Sequence, residues 1–465
     1  MTALKQSSDL HIYFVYPSIE FDSPRLTTGQ TNLLRSPLGL HYLFAVLRQA
    51  EIGYTFRDQH IHRLTSADLV REVKRDGVRV VGIHANAMTK NVVLPHIVEL
   101  KTHTSAKVLI GGPGAYESDL YLQAGADAVM IGEGERRLIP TLEALHGNGR
   151  LHDIRGMHFR DDDGSLVRTP RAENIEPLDD LPFPYRPPEL APFYGEPVNP
   201  LQTGSCINLI TSRGCAFNCA YCLTSKLWGR RVRIRSVDNV LAEIDRELDR
   251  QPDAYFSFVD DAFGVSPEWL DEFCVKVTTG PRRFPWGCIM HPLQFHRRWD
   301  KVIDQMKRAG CRFISIGAQS ASPEILRQVN RSAAEPAALA EMLTQCRKHD
   351  IMTVATYILG LPGETHETMA RNIAFVKKYK PDLIDFHPLY ILPQSDIDLA
   401  YPDHRVTALT EAEIERACAT AFRRFYLHPR VVWRIASHIL RKNPRFLLRT
   451  WYILKMLLVQ MLAKK

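Results

Sequence analysis

Three cysteines close together in the middle of the chain constrain it most. Cys215, Cys219 and Cys222 lie in the stretch INLITSRGCAFNCAYCLTS, with CxxxCxxC spacing. Thiolates at this spacing can bind one cluster of four irons, for which four ligands is the usual complement. With only three cysteines, one iron has no protein thiolate and is open to a small molecule. We therefore predict a [4Fe-4S] cluster with an open iron at this loop.

A zinc site and simple packing in a core also remain open for the three cysteines. Zinc prefers four ligands, usually in two CxxC-like pairs, and no second pair is visible in the sequence. Cysteines also occur simply as small core residues. The apolar run Ile207 to Thr211 predicts a strand just before the cysteines. The cysteines would then lie on a loop at the carboxyl end of a strand, where α/β proteins carry their chemistry.

Cysteine usage and charge indicate the compartment and exclude one class of partner. The nine cysteines are odd in number and three are clustered, which favours a reducing cytoplasm over a disulfide scaffold. The first residues, MTALKQSSDL, contain no apolar signal core. Twelve of the 59 Lys and Arg, and no Asp or Glu, lie between Arg416 and Lys465, so the rest of the chain carries a net charge of −5. We therefore expect no nucleic-acid partner, because the basic character belongs to one tail.

The first part of the chain alternates predicted strands and helices. This alternation predicts an α/β domain with a doubly wound, Rossmann-like parallel sheet, which binds ligands at the carboxyl ends of its strands. We also expect Ser66 to cap the helix that it begins. The predicted strands are His11–Tyr16, Tyr54–Arg57, Val78–His84, Lys107–Ile110 and Ala128–Ile131, and the predicted helices are Pro37–Gln49, Ser66–Arg75 and Asn91–Thr102.

A second alternating region follows a proline-rich connector. Gly156 to Thr169 predicts a hairpin that turns at Asp163-Gly164, and the eight prolines in Glu176 to Pro200 predict an extended strap. The next six predicted strands are Ile207–Thr211, Tyr255–Val259, Trp286–Met290, Phe313–Gly317, Val354–Leu359 and Leu383–Leu392, with helices between them such as Val237–Leu248, Pro267–Val277, Pro336–Lys348 and His366–Lys378. Six βα units suggest a partial barrel. The predicted domains are residues 1–148, a connector at 149–203, a barrel at 204–400 and a helical tail at 401–465.

The cysteine motif resembles the signature of the radical S-adenosylmethionine (radical SAM) family, including an aromatic residue, Tyr221, before the last cysteine. The resemblance implies a partial (β/α)6, TIM-like barrel. It also implies that the open iron chelates SAM, whose reductive cleavage gives a 5′-deoxyadenosyl radical.

Other barrel segments carry the same resemblance. FVDDAF contains Asp260 and Asp261, which the resemblance places near the amino group of SAM, and IGAQSAS contains Gln319 and Ser320 where the family has G-x-E-S. The segment YILGLPGET, Tyr357 to Thr365, matches the late-barrel segment that shapes the floor near the adenine.

Four further side chains near predicted strand ends are interpreted mainly as structural. His291 and His387 are typical of satisfied barrel histidines, although either can act as an acid or base. Arg233 and Arg235 can bind a carboxylate, but we expect them to form a solvated basic face. No catalytic residue is assigned.

The first domain resembles the cobalamin-binding domain of cobalamin-dependent radical SAM enzymes over residues 10–145. The motifs that carry the resemblance are PLGL, AMT, LIGGPGA and IGEGE. It implies a nucleotide tail near Thr89, Gly111 and Gly112, with Gly132 and Glu133 as further cofactor-binding residues.

The triplet Asp58-Gln59-His60 is similar to the D-x-H-x-x-G motif in which histidine ligates cobalt, but Arg63 replaces the glycine and Asp58 follows the second strand rather than the first. We interpret His60 as an ordinary loop histidine, so cobalt would lack a histidine lower ligand.

The tail predicts helices at Glu411–Tyr426, Val431–Lys442 and Phe446–Ala463, the last apolar but interrupted by charges. A basic amphipathic helix lies at a membrane interface, which would indicate a lipid-like or otherwise apolar substrate. Packing of the tail on the barrel or on a partner chain is the alternative.

Three hypotheses of function follow from the sequence. In the first, a cobalamin-dependent radical SAM enzyme methylates an unactivated carbon of a small molecule, with electrons from an external donor. In the second, the same cofactors serve an oxidative cyclisation like that of the anaerobic magnesium-protoporphyrin cyclases, with a tetrapyrrole substrate. In the third, the chain is an iron–sulfur sensor that binds cobalamin and docks at a membrane.

Overall fold

The chain forms two compact units, Met1–Phe193 and Tyr194–Lys465. The computed structural model describes residues 10–18, 36–194 and 205–429, with 431, 433, 434 and 437. None of the helices in these ranges is long and apolar enough to span a bilayer. The boundary between the units falls inside the predicted connector.

The first unit is built on a seven-stranded sheet with the order β2-β1-β3-β4-β5-β6-β7. Its parallel strands are β1 (His11–Tyr16), β2 (Gly53–Asp58), β3 (Val80–His84), β4 (Lys107–Gly111) and β5 (Ala128–Met130). Because β1 pairs with both β2 and β3, the strand order reverses there. Doubly wound sheets bind ligands at the carboxyl edge of such a reversal.

The hairpin predicted in the connector is part of this sheet. It consists of β6 (Met157–Arg160) and β7 (Leu166–Arg168), and β6 pairs antiparallel with β5. The sheet is therefore mixed rather than wholly parallel. The strap that follows packs on the same unit, since the Tyr185 N–H donates to the His41 carbonyl (2.9 Å) and Arg48 stacks on the Tyr185 ring.

Helices cover the first sheet where apolar residues recur at helical spacing. Its α-helices are α1 (Leu38–Gln49), α2 (Gln59–His62), α3 (Ser66–Arg75), α4 (Lys90–His103), α5 (Ser118–Gln123) and α6 (Leu138–Leu145). The cap of α3 was predicted wrongly: Thr65, not Ser66, accepts from the Asp68 N–H, and Asp68 bonds back to the Thr65 N–H. Ser66 begins the helix and bonds to His96 instead.

The second unit holds a six-stranded, all-parallel sheet with the order β15-β14-β13-β12-β11-β8, as expected for a partial barrel. Its strands are β8 (Cys206–Leu209), β11 (Tyr255–Phe258), β12 (Trp286–Met290), β13 (Cys311–Gln319), β14 (Met352–Leu359) and β15 (Leu383–Pro388). Two short strands, β9 (Ser212–Arg213) and β10 (Arg233–Ile234), pair with each other beside it.

Nine helices are described in this unit. They are α7 (Thr224–Trp228), α8 (Val237–Arg250), α9 (Pro267–Thr279), α10 (Trp299–Arg308), α11 (Pro323–Gln328), α12 (Glu335–Lys348), α13 (His366–Tyr379), α14 (Asp396–Ala400) and α15 (Glu411–Tyr426). Outward strand residues such as Phe258 and Trp286 pack against Phe273 of α9. Inward residues of neighbouring strands form a separate, smaller cluster of Cys206, Tyr255, Phe313, Met352, Val354 and Leu383. These side chains fill the interior of the barrel, so a reaction site would lie at the ends of the strands.

The expectation that Arg233 and Arg235 form a solvated face is wrong. Both are buried, with 4% and 3% of their surface exposed. Arg235 forms an ion pair with Glu243 of α8 (2.7 Å) and donates to the Ile210 carbonyl. Glu243 lies in the middle of the helix that follows Arg235. The run of arginines in the sequence therefore did not reveal this ion pair.

The predicted tail helices are only partly covered. Glu411–Tyr426 is confirmed as α15, whose Tyr426 hydroxyl bonds to the backbone of Ile384 in β15. The prediction for Val431–Lys442 falls mostly outside the described residues, and that for Phe446–Ala463 lies wholly outside them.

Candidate active site

The cysteine loop begins just past the carboxyl end of β8, as predicted. Gly214 has a φ of 103°, and a Cβ there would lie 2.8 Å from the Arg231 carbonyl oxygen, so this entry to the loop requires glycine. Cys215, Cys219 and Cys222 follow before α7, and all three are partly exposed.

The three thiols are not arranged for a single ion. In the ranges that the structure describes, no group of three or more His, Cys, Asp or Glu could hold one metal ion. Burial raises the pKa of Cys215 to about 11, against a backbone hydrogen bond at Phe217 that lowers it, and burial also raises the pKa of Cys219. Metal binding deprotonates a coordinating thiol outright. Because each cysteine ligates a different iron in a cluster, this donor set fits a cluster better than zinc.

Two contacts hold the loop, one to the residue after β12 and one to the end of α11. The Phe217 ring stacks on His291, with ring centroids 3.6 Å apart and an interplanar angle of 16°. His291 Nδ1 accepts the Leu293 N–H (3.2 Å), which places the ring proton on Nε2 of the neutral imidazole. Burial lowers the pKa of His291 to about 2, with Arg331 adding to the effect. The Ala220 N–H donates to the Val329 carbonyl (3.0 Å).

Arg331 is the residue that sequence reasoning missed. Its guanidinium donates to Cys219 Sγ (3.7 Å), the Tyr221 hydroxyl (2.8 Å) and the Gly317 carbonyl (2.9 Å). Glu335 accepts from its other side, with Arg331 Nε at 2.7 Å. In sequence, Arg331 and Glu335 have the spacing of an ordinary surface ion pair. Only the fold brings them beneath the cysteine loop.

Asp260 and Asp261 follow β11 and have different environments. Asp260 is 1% exposed and accepts hydrogen bonds from the Thr211 N–H, the Thr211 hydroxyl and the Ser212 hydroxyl. It therefore fixes the backbone that leads into the cysteine loop. Asp261 is exposed and accepts the Thr224 hydroxyl (3.0 Å). Desolvation by the surrounding protein raises the pKa of Asp261 to about 6, although its side chain stays accessible to solvent.

Gln319 is the last residue of β13, and Ser320 follows it. Gln319 has a φ of 58°, uncommon for a residue other than glycine, and in the described part of the chain its buried Oε1 has no hydrogen-bond partner. Buried polar atoms are almost always paired, so this oxygen fits a bound ligand that donates a hydrogen bond. Ser320 is buried and contacts Asn372 of α13, which also accepts the Ala321 N–H (2.6 Å). Ser320 therefore shapes this turn.

The residues predicted to bind cobalamin lie along the carboxyl edge of the first sheet. Thr89 is buried in a tight turn, where its hydroxyl accepts the Asn86 N–H (3.0 Å). A Cβ on Gly111 would meet no described atom within 4 Å, whereas a Cβ on Gly112 would lie 2.7 Å from the Ala85 carbonyl oxygen. The open space at Gly111, at the carboxyl end of β4, fits an extended nucleotide tail.

The remaining predicted contacts of this unit have structural partners. Gly132 has a φ of 87°, and the buried Glu133 accepts the Ile175 N–H. Arg137 donates to the Glu133 carbonyl (2.9 Å). His60 lies within hydrogen-bond distance of the Ser18 hydroxyl (3.1 Å). Its exclusion as a cobalt ligand stays a prediction, and residues 19–35, in the loop after β1, are outside the described residues.

Comparison with known families finds both parts of the predicted architecture. Residues 209–376 match the Radical SAM superfamily, and residues 26–139 match the B12 binding domain. The chain is 26% identical to an uncharacterized methyltransferase of Pyrococcus horikoshii, over 95% of this chain and 99% of that protein. It is 25% identical to the anaerobic magnesium-protoporphyrin IX monomethyl ester cyclase of Cereibacter sphaeroides, over 88% of this chain and 70% of the cyclase.

A solved structure shares the fold. The radical S-adenosylmethionine methyltransferase TsrM from Kitasatospora setae, determined with cobalamin and a [4Fe-4S] cluster, aligns with a TM-score of 0.67 and 19% identity. The alignment covers 84% of this chain and 78% of TsrM. A B12-binding domain and a radical SAM domain, whose cofactors are cobalamin, SAM and a [4Fe-4S] cluster, are both present. The chain therefore contains the two domains of the cobalamin-dependent radical SAM enzymes.

Proposed function

We propose that this enzyme methylates an unactivated carbon of a small organic substrate. The observation that carries the proposal is the three-cysteine loop at the carboxyl edge of an all-parallel six-stranded sheet, where barrel enzymes carry out their chemistry. When bound, the cluster and cobalamin supply an electron for the cleavage of SAM and a carrier for the methyl group.

In this proposal Cys215, Cys219 and Cys222 each bind one iron. The pKa values of Cys215 and Cys219 lie above the ordinary thiol value, so metal loading releases protons and becomes more favourable as pH rises. Asp260 holds the backbone that enters the loop, which keeps the thiols in place before iron arrives.

Two side chains are positioned to bind SAM. Of the adjacent acids, Asp261 has the accessible carboxylate and is suited to an ammonium group, because its charged form accepts strong hydrogen bonds. Gln319 Oε1 is buried and unpartnered within the described chain, and it is suited to a ribose hydroxyl.

In the first unit, Gly111 supplies the open space for the nucleotide tail of cobalamin, while Thr89, Gly112, Gly132 and Glu133 shape its surroundings.

The test is an anaerobic assay of reconstituted protein with cobalamin, SAM and a strong reductant, in which 5′-deoxyadenosine and S-adenosylhomocysteine are quantified together. Both products are expected. The variant Cys219→Ala should lose the absorbance of the cluster and all SAM cleavage, whereas Cys274→Ala, at a buried cysteine of α9, should keep both. Cleavage that persists in Cys219→Ala would contradict the proposal.

A second function is favoured by the similarity to the magnesium-protoporphyrin cyclase, which extends over 443 residues. An enzyme of that kind would form a ring without transferring a methyl group. The same assay separates the two functions, because a cyclase would give 5′-deoxyadenosine without S-adenosylhomocysteine.

We further propose that the basic tail contacts an anionic membrane surface on the cytoplasmic side and that the substrate is apolar. Trp433 is 72% exposed, and its neighbour Arg434 is held by Asp382 (2.6 Å). Tryptophan favours membrane interfaces, and basic residues favour anionic lipid. Vesicles with phosphatidylglycerol should sediment the protein, pure phosphatidylcholine vesicles should not, and Trp433→Ala should weaken binding. Equal sedimentation by both vesicles would contradict this contact.

A further inference from the structure

The environment of Arg331 is fully specified by the fold. An arginine side chain has five N–H donors. Arg331 bonds through Nε and Nη2 to Glu335 Oε2 (2.7 and 2.5 Å), through Nη2 to the Gly317 carbonyl, and through Nη1 to the Tyr221 hydroxyl and Cys219 Sγ. Both Arg331 and Glu335 are buried, at 7% and 2% exposure. The guanidinium is therefore fixed in orientation, with Nη1 directed at the cysteine loop.

The Glu335 carboxylate is equally constrained. Its Oε2 faces Arg331, while its Oε1 accepts the Ser332 N–H (3.0 Å) and lies 3.7 Å from His291 Nε2. Because burial holds His291 neutral, with its pKa lowered to about 2, the imidazole contributes no charge here. The pair thus combines one positive and one negative charge, and the positive one is nearer the sulfur of Cys219.

A charge pair in this position has an electrostatic effect on a cluster bound at Cys219. Hydrogen bonds to the sulfurs, net charge and solvent exposure determine the reduction potential of an iron–sulfur cluster. Reduction adds a negative charge, so a nearby cation favours the reduced form and an anion disfavours it. The interaction is little screened because both groups are buried.

We propose that the buried Arg331–Glu335 pair is a positioning device that sets the reduction potential of the cluster through the hydrogen bond from Arg331 to Cys219. This inference rests on the proposed ligation of iron by Cys219. Arg331 supplies the donor, and Glu335 holds the donor in place and offsets its charge. The balance between the two charges, rather than either alone, places the potential within reach of the external electron donor.

The test is a redox titration of the reconstituted, SAM-free protein, followed by the electron paramagnetic resonance signal of the reduced cluster. Glu335→Gln leaves the guanidinium charge unbalanced and should raise the potential. Arg331→Gln leaves the carboxylate unbalanced, removes the N–H···S bond and should lower it. We expect each variant to change the ratio of reduced to oxidised cluster at a given potential at least tenfold, about 59 mV for one electron. The double variant should lie between them.

The controls are Arg327→Gln and Glu324→Gln, which remove exposed charges of the same types on the neighbouring helix α11. Both should titrate like the wild type. Breaking a buried ion pair is destabilising, so iron content is measured first. If Arg331→Gln fails to load, Glu335→Gln still decides the question, since a merely structural role predicts no rise in potential.

Shifts in opposite directions support the inference. Shifts in the same direction, or none beyond those of the control variants, overturn it while leaving the proposed ligation intact. A wild-type protein that assembles no [4Fe-4S] cluster overturns the ligation and this inference together.

Discussion

Glu364 in the turn GLPGE is a single buried carboxyl with a measurable consequence. It is 2% exposed and accepts the backbone N–H groups of Gly360 and Leu361. Burial raises the pKa of Glu364 from 4.5 to about 7, because desolvation outweighs these hydrogen bonds. Between these two values the folded protein binds a proton that the unfolded chain has released. The stabilisation from this proton is therefore complete below about pH 4.5 and is lost as pH rises through about 7.

Substitution of Glu364 by Gln should remove this pH dependence. The shift corresponds to about 3 kcal/mol of unfolding free energy in the wild type, lost between about pH 4.5 and just above pH 7. We expect the variant to gain stability relative to the wild type at about pH 8 but not at about pH 5, as measured by urea unfolding. Glu367→Gln, at an exposed position three residues on, is the control. Parallel pH profiles of wild type and Glu364→Gln would refute the assignment.

Individual site residues differ in how far sequence could predict them. The three cysteines are indicated by their spacing, since the chemistry requires that spacing within one loop. Asp260 and Asp261 are adjacent in sequence, yet one is buried under Thr211 and the other is exposed. Arg331 carries no local signal, because its role depends on contacts more than 100 positions away in the chain.

At the scale of elements, β4 ends in two adjacent glycines with different roles: Gly111 is its last residue and Gly112 follows it. Gly112 has a φ of 97° and no room for a Cβ beside the Ala85 carbonyl. Gly111 has open space at its Cβ position among the described atoms and an ordinary φ. Gly112 is required by the fold, whereas in our proposal Gly111 leaves space for the nucleotide tail of cobalamin.

The pair Gly111→Ala and Gly112→Ala tests this division. Gly112→Ala should lower the unfolding free energy by about 1–3 kcal/mol, because alanine is strained in the left-handed region. Gly111→Ala should leave stability unchanged and weaken cobalamin binding, measured by absorbance titration of the protein with cobalamin. Unchanged cobalamin affinity in Gly111→Ala would show that the tail does not enter this space.

Most helices and strands could be predicted from hydrophobic periodicity. Where the predicted limits or pairings differ from the structure, the difference has a physical cause. The limits of β1 and β12 are as predicted because each is a buried apolar run ended by a break in pattern. β13 extends past the predicted Gly317 to Gln319 through an irregularity in its pairing with β14, which periodicity does not reveal. The β6–β7 hairpin was predicted, but its pairing with β5 is a long-range contact that the local sequence does not encode.

At the scale of the whole molecule, each unit has its own hydrophobic core. The core of the first unit includes Tyr13, Val81 and Ile110, and that of the second includes Phe258, Trp286 and Ile316. We expect calorimetry to resolve two unfolding transitions. Cobalamin should raise the midpoint temperature of one transition, and SAM, with the cluster loaded, should raise that of the other. Each ligand should add about 2.7 kcal/mol to the unfolding free energy of its unit at a free ligand concentration of 100 times Kd. A single transition raised equally by both ligands would contradict separate folding.

The contacts that anchor the cysteine loop affect what happens to the protein when oxygen destroys its cluster. Oxygen destroys exposed iron–sulfur clusters, and many sites that depend on their metal for folding are lost with it. Here Asp260, the Phe217–His291 stack and the bond from Ala220 to Val329 hold the loop through protein contacts alone. Loss of iron should therefore abolish activity without unfolding the protein. The cluster can then be rebuilt by supplying iron and sulfide to the folded loop, without synthesis of a new chain.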